Sequence, residues 1–168
     1  YARGIALATL GRVEEAAAEQ EAFLKAKEAV PESRLLFNNP VKEILEVATE
    51  VLAGELEYRR KNYDVAFEHL REAVALDERL NYDEPWGWME PARHALGALL
   101  TEQGHHEEAI EVYRADLARY PENGWALHGL AEGLRRLGRT KEAEAAEARF
   151  DAAWAESDTV IPGSCFCR

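Results

Sequence analysis

One short pattern recurs four times along this chain: a glycine or asparagine, then charged residues, then an alanine. The alanines are Ala16, Ala66, Ala109 and Ala143, and the last two are 34 residues apart. The other two intervals, of 43 and 50 residues, fit the same period if each contains an insertion. A fixed period of this length is typical of repeat proteins, in which each unit buries its apolar face against the next.

Each recurring segment lies between two stretches with helical periodicity. Leu96 and Leu99 precede Gly104, and Ile110 and Tyr113 follow it, at spacings that place apolar side chains on one helix face. Glycine ends a helix readily because it adopts the left-handed conformation. Each unit is therefore predicted to be a helical hairpin, with helices at about 2–10, 12–29, 41–60, 63–79, 89–103, 106–119, 124–137 and 140–156.

Composition narrows the fold and function classes. Ala, Glu, Leu, Lys and Arg supply 94 of the 168 residues, which favours long helices and excludes a predominantly β protein. The net charge of −12 argues against a general nucleic-acid binder, because a phosphate backbone is neutralised by clustered Lys and Arg. No apolar run has the length of a membrane span.

The segment from Pro91 to Pro121 carries the most complete motif, with Leu96-Gly97 in its first helix, Gly104 in the turn, and Ala109 and Tyr113 in its second helix. This unit resembles the tetratricopeptide repeat. The resemblance implies an all-α, right-handed superhelix of helical hairpins. It covers residues 1–156 as a partial repeat (1–30) and repeats at about 41–79, 89–121 and 123–156, followed by a tail at 157–168.

A closer resemblance involves the run from Tyr82 to Pro91 and the segment from Pro121 to Leu127. Both are similar to the C-terminal regions of bacterial tetratricopeptide-repeat proteins of poorly defined function. This resemblance implies that Tyr1 lies within a repeat and that a longer chain precedes it. No signal peptide is visible, and among compartments the cytoplasm is favoured.

The family resemblance further implies that the first helices of the hairpins line a concave groove that binds a protein or a peptide. Aromatic and arginine side chains are the usual energetic anchors of interfaces. On these grounds the candidate binding residues are Tyr58, Arg59, Trp86, Trp88, His94, Trp125, His128, Glu132 and Arg135. We expect Tyr58 and Arg135 to be exposed.

The tryptophans also allow structural interpretations. Trp125 could fasten the start of its helix by packing against the previous unit. Trp86 and Trp88 lie in a nine-residue insertion, and they could either form a pocket wall or cover the gap that the insertion opens. The sequence leaves these alternatives open.

A second function class is metal or thiol chemistry. Cys165 and Cys167, the two cysteines of the chain, lie near its end, and His94 and His128 occupy equivalent positions 34 residues apart. Together they would supply the two thiolates and two imidazoles that suit Zn or Cu. The alternative is an unstructured tail with two unrelated histidines, and a thiol-redox role for the cysteine pair also remains open.

No nucleophile elbow, phosphate-binding loop or zinc-protease motif is present, so the sequence predicts a chain that is not an enzyme. The favoured function is a protein- or peptide-binding scaffold, without a nucleic-acid partner. Val160, Ile161 and Phe166 make the tail apolar. It is expected to lie in its own groove or in that of a neighbouring chain, and a homodimer could form through the tail or the end repeats.

Overall fold

The computed structural model describes residues 1–165, whose regular secondary structure is helical apart from one short two-stranded ladder. The strands β1 (Leu35–Leu36) and β2 (Asn39–Pro40) pair antiparallel. The predicted all-α fold class of helical hairpins is confirmed. The helices are α1 (Ala2–Thr9), α2 (Val13–Glu28), α3 (Val41–Arg59), α4 (Tyr63–Arg79), α5 (Ala92–Glu102), α6 (His106–Arg119), α7 (Gly124–Arg136) and α8 (Thr140–Ala153).

The turns within the hairpins adopt the predicted left-handed conformation. Gly138, for example, has a φ of +72°, and the next residue, Arg139, donates its backbone N–H to the carbonyl of Leu134 at 2.9 Å. This arrangement satisfies a carbonyl that the end of α7 would otherwise leave without a partner. In the turn between α3 and α4, a lysine, Lys61, takes the same conformation with a φ of +66°.

The helices form two compact units, Tyr1–Ala92 and Arg93–Arg168. In the first unit, α1 packs on α2 and α3 packs on α4, around buried side chains such as Val47, Leu52 and Leu56. In the second unit, α7 packs against both α6 and α8. Tyr113 on α6 and Leu127 on α7 are completely buried there.

Two long connections, between α2 and α3 and between α4 and α5, contain the predicted insertions, and they are bonded to each other. The buried carboxylate of Asp83 accepts hydrogen bonds from the backbone and side-chain N–H groups of Asn38 and from the side chain of Asn39. Asn39 in turn pairs with the backbone of Asn81 in both directions, at 2.7 and 2.9 Å. We call Asn38, Asn39, Asn81 and Asp83 the Asp83 cluster. The helix α5 begins at Ala92 and not near residue 89 as predicted, and the backbone N–H of Ala92 donates to the carboxylate of Asp77 at 3.4 Å.

Among residues 1–165, no helix has both the length and the apolar character that a membrane span requires.

Candidate functional site

An open cleft of about 750 Å³ lies in the second unit, and we call it the terminal cleft. Three of the predicted binding residues, His128, Glu132 and Arg135, line it from α7. Their spacing of four and three residues places them on one face of the helix. Among the described residues, the lining is His128, Ala131, Glu132, Arg135 and Arg136 from α7, Glu147, Phe150 and Asp151 from α8, and Pro162 from the tail.

The charged groups of the terminal cleft form ion pairs across its surface. Arg135 pairs with Glu147 of α8, and Arg136 lies 3.5 Å from Glu132 on the same helix. The side chains of Arg135 and Arg136 are nevertheless 56% and 63% exposed. Exposed ion pairs are worth at most about 1 kcal/mol, so both guanidinium groups can exchange their partners for a ligand.

A row of aromatic rings runs along one side of the terminal cleft. His128 lies 5.4 Å from the Phe150 ring, Phe150 stacks on Trp154 at 5.6 Å, and Trp154 meets the edge of Trp125 at 5.9 Å between centroids. Gly124 makes room for Trp154, because a Cβ at this position would lie 2.3 Å from the indole ring. Trp125 therefore packs on α8 of its own hairpin, and His128 and Phe150 expose an aromatic surface to the cleft.

His94, which the sequence places in the binding groove, is 6% exposed and belongs to a buried polar cluster. Its Nε2 atom lies 3.3 Å from Oδ2 of Asp116 and 2.9 Å from the side-chain nitrogen of Asn123. Asn123 also donates to Asp116 at 2.9 Å and caps α7 by accepting the backbone N–H of Trp125. His94 thus links α5, α6 and the start of α7, and is not available on a surface.

Tyr58 and Arg59 lie at the end of α3 in the first unit. Tyr58 is 5% exposed, contrary to the expected exposure, because its ring packs edge-on against Tyr63 and Phe67 of α4. Arg59 makes two hydrogen bonds to the buried carboxylate of Glu55, at 2.6 and 2.8 Å. A buried carboxylate needs such a partner, so Arg59 serves at least this structural role.

The insertion tryptophans are half-buried against the core of the first unit. Trp86 and Trp88 pack on the cluster that includes Ile44, Val47 and Val51. The indole N–H of Trp86 donates to Asp77 at 2.8 Å. These contacts correspond to the structural interpretation, in which the rings cover the gap that the insertion opens.

Trp88 also meets the edge of the Tyr1 ring, with 5.0 Å between centroids. Burial, together with the nearby carboxylates of Glu90 and Glu55, raises the pKa of the Tyr1 hydroxyl far above its ordinary value. The phenol therefore stays protonated, and the Tyr1–Trp88 contact is an uncharged one at any physiological pH.

We expect Trp86→Ala to lower the free energy of unfolding by about 2–4 kcal/mol, because it removes a packed indole and the hydrogen bond to Asp77. Urea unfolding followed by circular dichroism measures the change. Met89→Ala is the matched control, since Met89 lies in the same insertion and is 86% exposed. Equal stability of the two variants would contradict the structural role of Trp86.

The four predicted metal ligands are not brought together among the described residues. His94 is bonded to Asp116 and Asn123, whereas His128 packs on Phe150. Cys165 is buried and disulfide-bonded, a state in which its sulfur offers no thiolate to a metal. Cys167 lies outside the described residues. Within residues 1–165 there is no group of three or more His, Cys, Asp or Glu side chains placed to hold a metal ion.

Sequence reasoning missed the residues that α8 and the tail contribute. Glu147, Phe150 and Asp151 lie on a second helix, and the groove was assigned to first helices alone. The spacing of Glu147, Phe150 and Asp151 (i, i+3, i+4) could have indicated a shared face, but not that this face lines a cleft.

In a comparison with protein families, residues 45–122 match the family model of the tetratricopeptide repeat. A comparison with curated proteins gives no match.

Proposed function

Starting from the membership of residues 45–122 in the tetratricopeptide repeat family, we propose that this chain is a non-enzymatic scaffold that binds an extended peptide in the terminal cleft. Repeats of this family generally mediate protein–protein interactions. The observation that carries the proposal is the open cleft of about 750 Å³, which has the size of a small-ligand or peptide site.

The lining of the terminal cleft supports a peptide ligand. The paired rings of His128 and Phe150 offer an apolar surface for a ligand side chain. Arg135 and Arg136, both more than half exposed, can bind backbone carbonyls or a carboxylate. The carboxylates of Glu147 and Asp151 line the α8 side of the cleft. They suit a basic residue of a partner, in keeping with the net charge of −12.

A test is to select binders for the full chain from a random peptide library displayed on phage, and to measure their affinity for variants by fluorescence polarisation. Arg135→Ala/Arg136→Ala is expected to weaken the selected peptides at least tenfold, about 1.4 kcal/mol, because both exposed guanidinium groups are lost.

The matched control is Arg114→Ala/Arg139→Ala, which removes two similarly exposed, ion-paired arginines of the same unit, away from the cleft. It is expected to leave affinity unchanged. If no peptide is enriched, or if the selected peptides bind both double variants equally well, the proposal is wrong.

Among residues 1–165 no geometric observation favours the metal alternative, and Zn or Cu binding stays a prediction for the Cys165–Cys167 tail.

A further inference from the structure

The tail after α8 follows the surface of its own unit. The indole N–H of Trp154 donates to the carbonyl of Thr159 at 2.7 Å, which fixes the direction of the chain. Val160 is 91% exposed, whereas Ile161 is 5% exposed. Pro162 is exposed, and the three residues after it are buried, with Ser164 only 2% exposed. Four of the five residues 161–165 are therefore buried against the unit.

Ser164 marks where the tail is seated. Its hydroxyl is hydrogen-bonded to the hydroxyl of Tyr113, which is itself completely buried. The Tyr113 ring, carried by α6, lies against Gly97 of α5 and Gly129 of α7. The tail is therefore held between α5 and α7, at the hydroxyl end of the Tyr113 ring.

The tail also bounds the terminal cleft, because Pro162 forms part of its lining. Movement of the tail would extend the cleft from His128 and Arg135 toward Tyr113. The connecting residues 155–160 are exposed, so the buried contacts that hold the tail lie at 161–165.

We propose that residues 159–165 are a built-in occupant of a peptide-binding surface, and that the partner peptide displaces them. This inference rests on the proposed function and adds the chemistry of the ligand. The ligand is a short segment that buries an aliphatic side chain and, three residues later, presents a serine or threonine hydroxyl to Tyr113. The pattern is copied from Ile161 and Ser164.

Because the tail is attached to the chain, it competes with a free peptide at a high effective concentration, and this determines how much the affinity is expected to fall. A short flexible connection gives the tail an effective concentration on the order of 1 mM. If the tail sequence itself has an intrinsic Kd of about 10 µM, a competing peptide would then bind roughly 100-fold more weakly to the intact chain.

The test uses a fluorescein-labelled synthetic peptide with the sequence of residues 157–165, in which serine replaces Cys165 to remove thiol chemistry. Its affinity is measured for the full chain and for the full chain carrying Ile161→Asp, whose tail is weakened by a buried charge. Binding to the Ile161→Asp chain is expected to be at least tenfold tighter. A further change, Tyr113→Phe, in that chain is expected to cost several-fold in affinity.

Val160→Asp is the matched control, since it adds the same charge at a neighbouring position that is 91% exposed. Circular dichroism and the thermal midpoint verify that both variants keep their helices. Limited proteolysis gives a second measurement, because a released tail is cleaved within 157–165 faster in Ile161→Asp than in Val160→Asp. If Ile161→Asp disturbs the helices, Ser164→Lys replaces it.

Equal affinity of the tail peptide for the Ile161→Asp and Val160→Asp chains overturns the inference. If peptides selected from the library still require Arg135 and Arg136 in that case, the proposed function stands and the tail is only structural. If no peptide binds any variant, both proposals fail.

Discussion

Replacing Asp83 with alanine is expected to lower the free energy of unfolding by about 2–4 kcal/mol, one of the two largest effects we expect. The Asp83 side chain is 6% exposed, and it accepts N–H groups of Asn38 and Asn39 at 2.7 to 3.1 Å. Hydrogen bonds to an ionised group are about twice as strong as neutral ones. The backbone N–H of Asn38 would lose the carboxylate that accepts it.

The effect of Asp83→Ala is measured by urea unfolding followed by far-UV circular dichroism. Glu84→Ala is the matched control, because Glu84 is the next residue and its carboxylate is exposed, where it contacts the Tyr82 hydroxyl. The control should change stability by less than about 1 kcal/mol. An Asp83→Ala chain as stable as the control would show that the two insertions do not depend on each other.

Gly129→Ala, which adds one methyl group, is also expected to have a large effect: it should lower the free energy of unfolding by about 2–3 kcal/mol. An added Cβ would lie 2.3 Å from Cζ of Tyr113 and 2.6 Å from its Cε1. The ring cannot withdraw, because Tyr113 is completely buried and Gly97 contacts it as well. Alanine is otherwise the better helix former by about 1 kcal/mol, so a net loss must come from the clash.

A double-mutant cycle separates the clash from other causes. Gly129→Ala is combined with Tyr113→Leu, whose shorter side chain leaves room for the methyl group. The two changes are expected to be non-additive by at least about 1 kcal/mol, with the double variant more stable than the sum predicts. Gly133→Ala on the same helix is the control, since its Cβ would lie 3.1 Å from the flexible side chain of Ile110 and 3.8 Å from the carbonyl oxygen of His106. Strict additivity in the cycle would contradict the close packing at Tyr113.

Helix positions were largely predictable from the sequence, because apolar periodicity and turn glycines are local signals. Most boundaries of the eight helices agree with the predicted ranges to within one or two residues. The main deviations are at α5, which begins at Ala92, and α8, which ends at Ala153. Bonds between distant residues, Asn38 and Asn39 with Asp83, hold the insertion before α5, and no local pattern reports them.

The candidate site was only partly predictable. Spacing placed His128, Glu132 and Arg135 on one face of α7, and this face lines the terminal cleft. The same spacing treated His94 as equivalent to His128, although His94 is bonded to Asp116 and Asn123 within the protein. The repeat period identifies equivalent positions, but it does not indicate which of these side chains are hydrogen-bonded in the protein interior.

The helical hairpins could be predicted from local sequence patterns, because helix formation, turn conformation and hairpin pairing depend on residues close together in the chain. Which polar and aromatic side chains are available for binding depends instead on tertiary packing. Burial depends on contacts such as Tyr58 with Phe67 and Tyr113 with Ser164, and the second pair lies 51 residues apart.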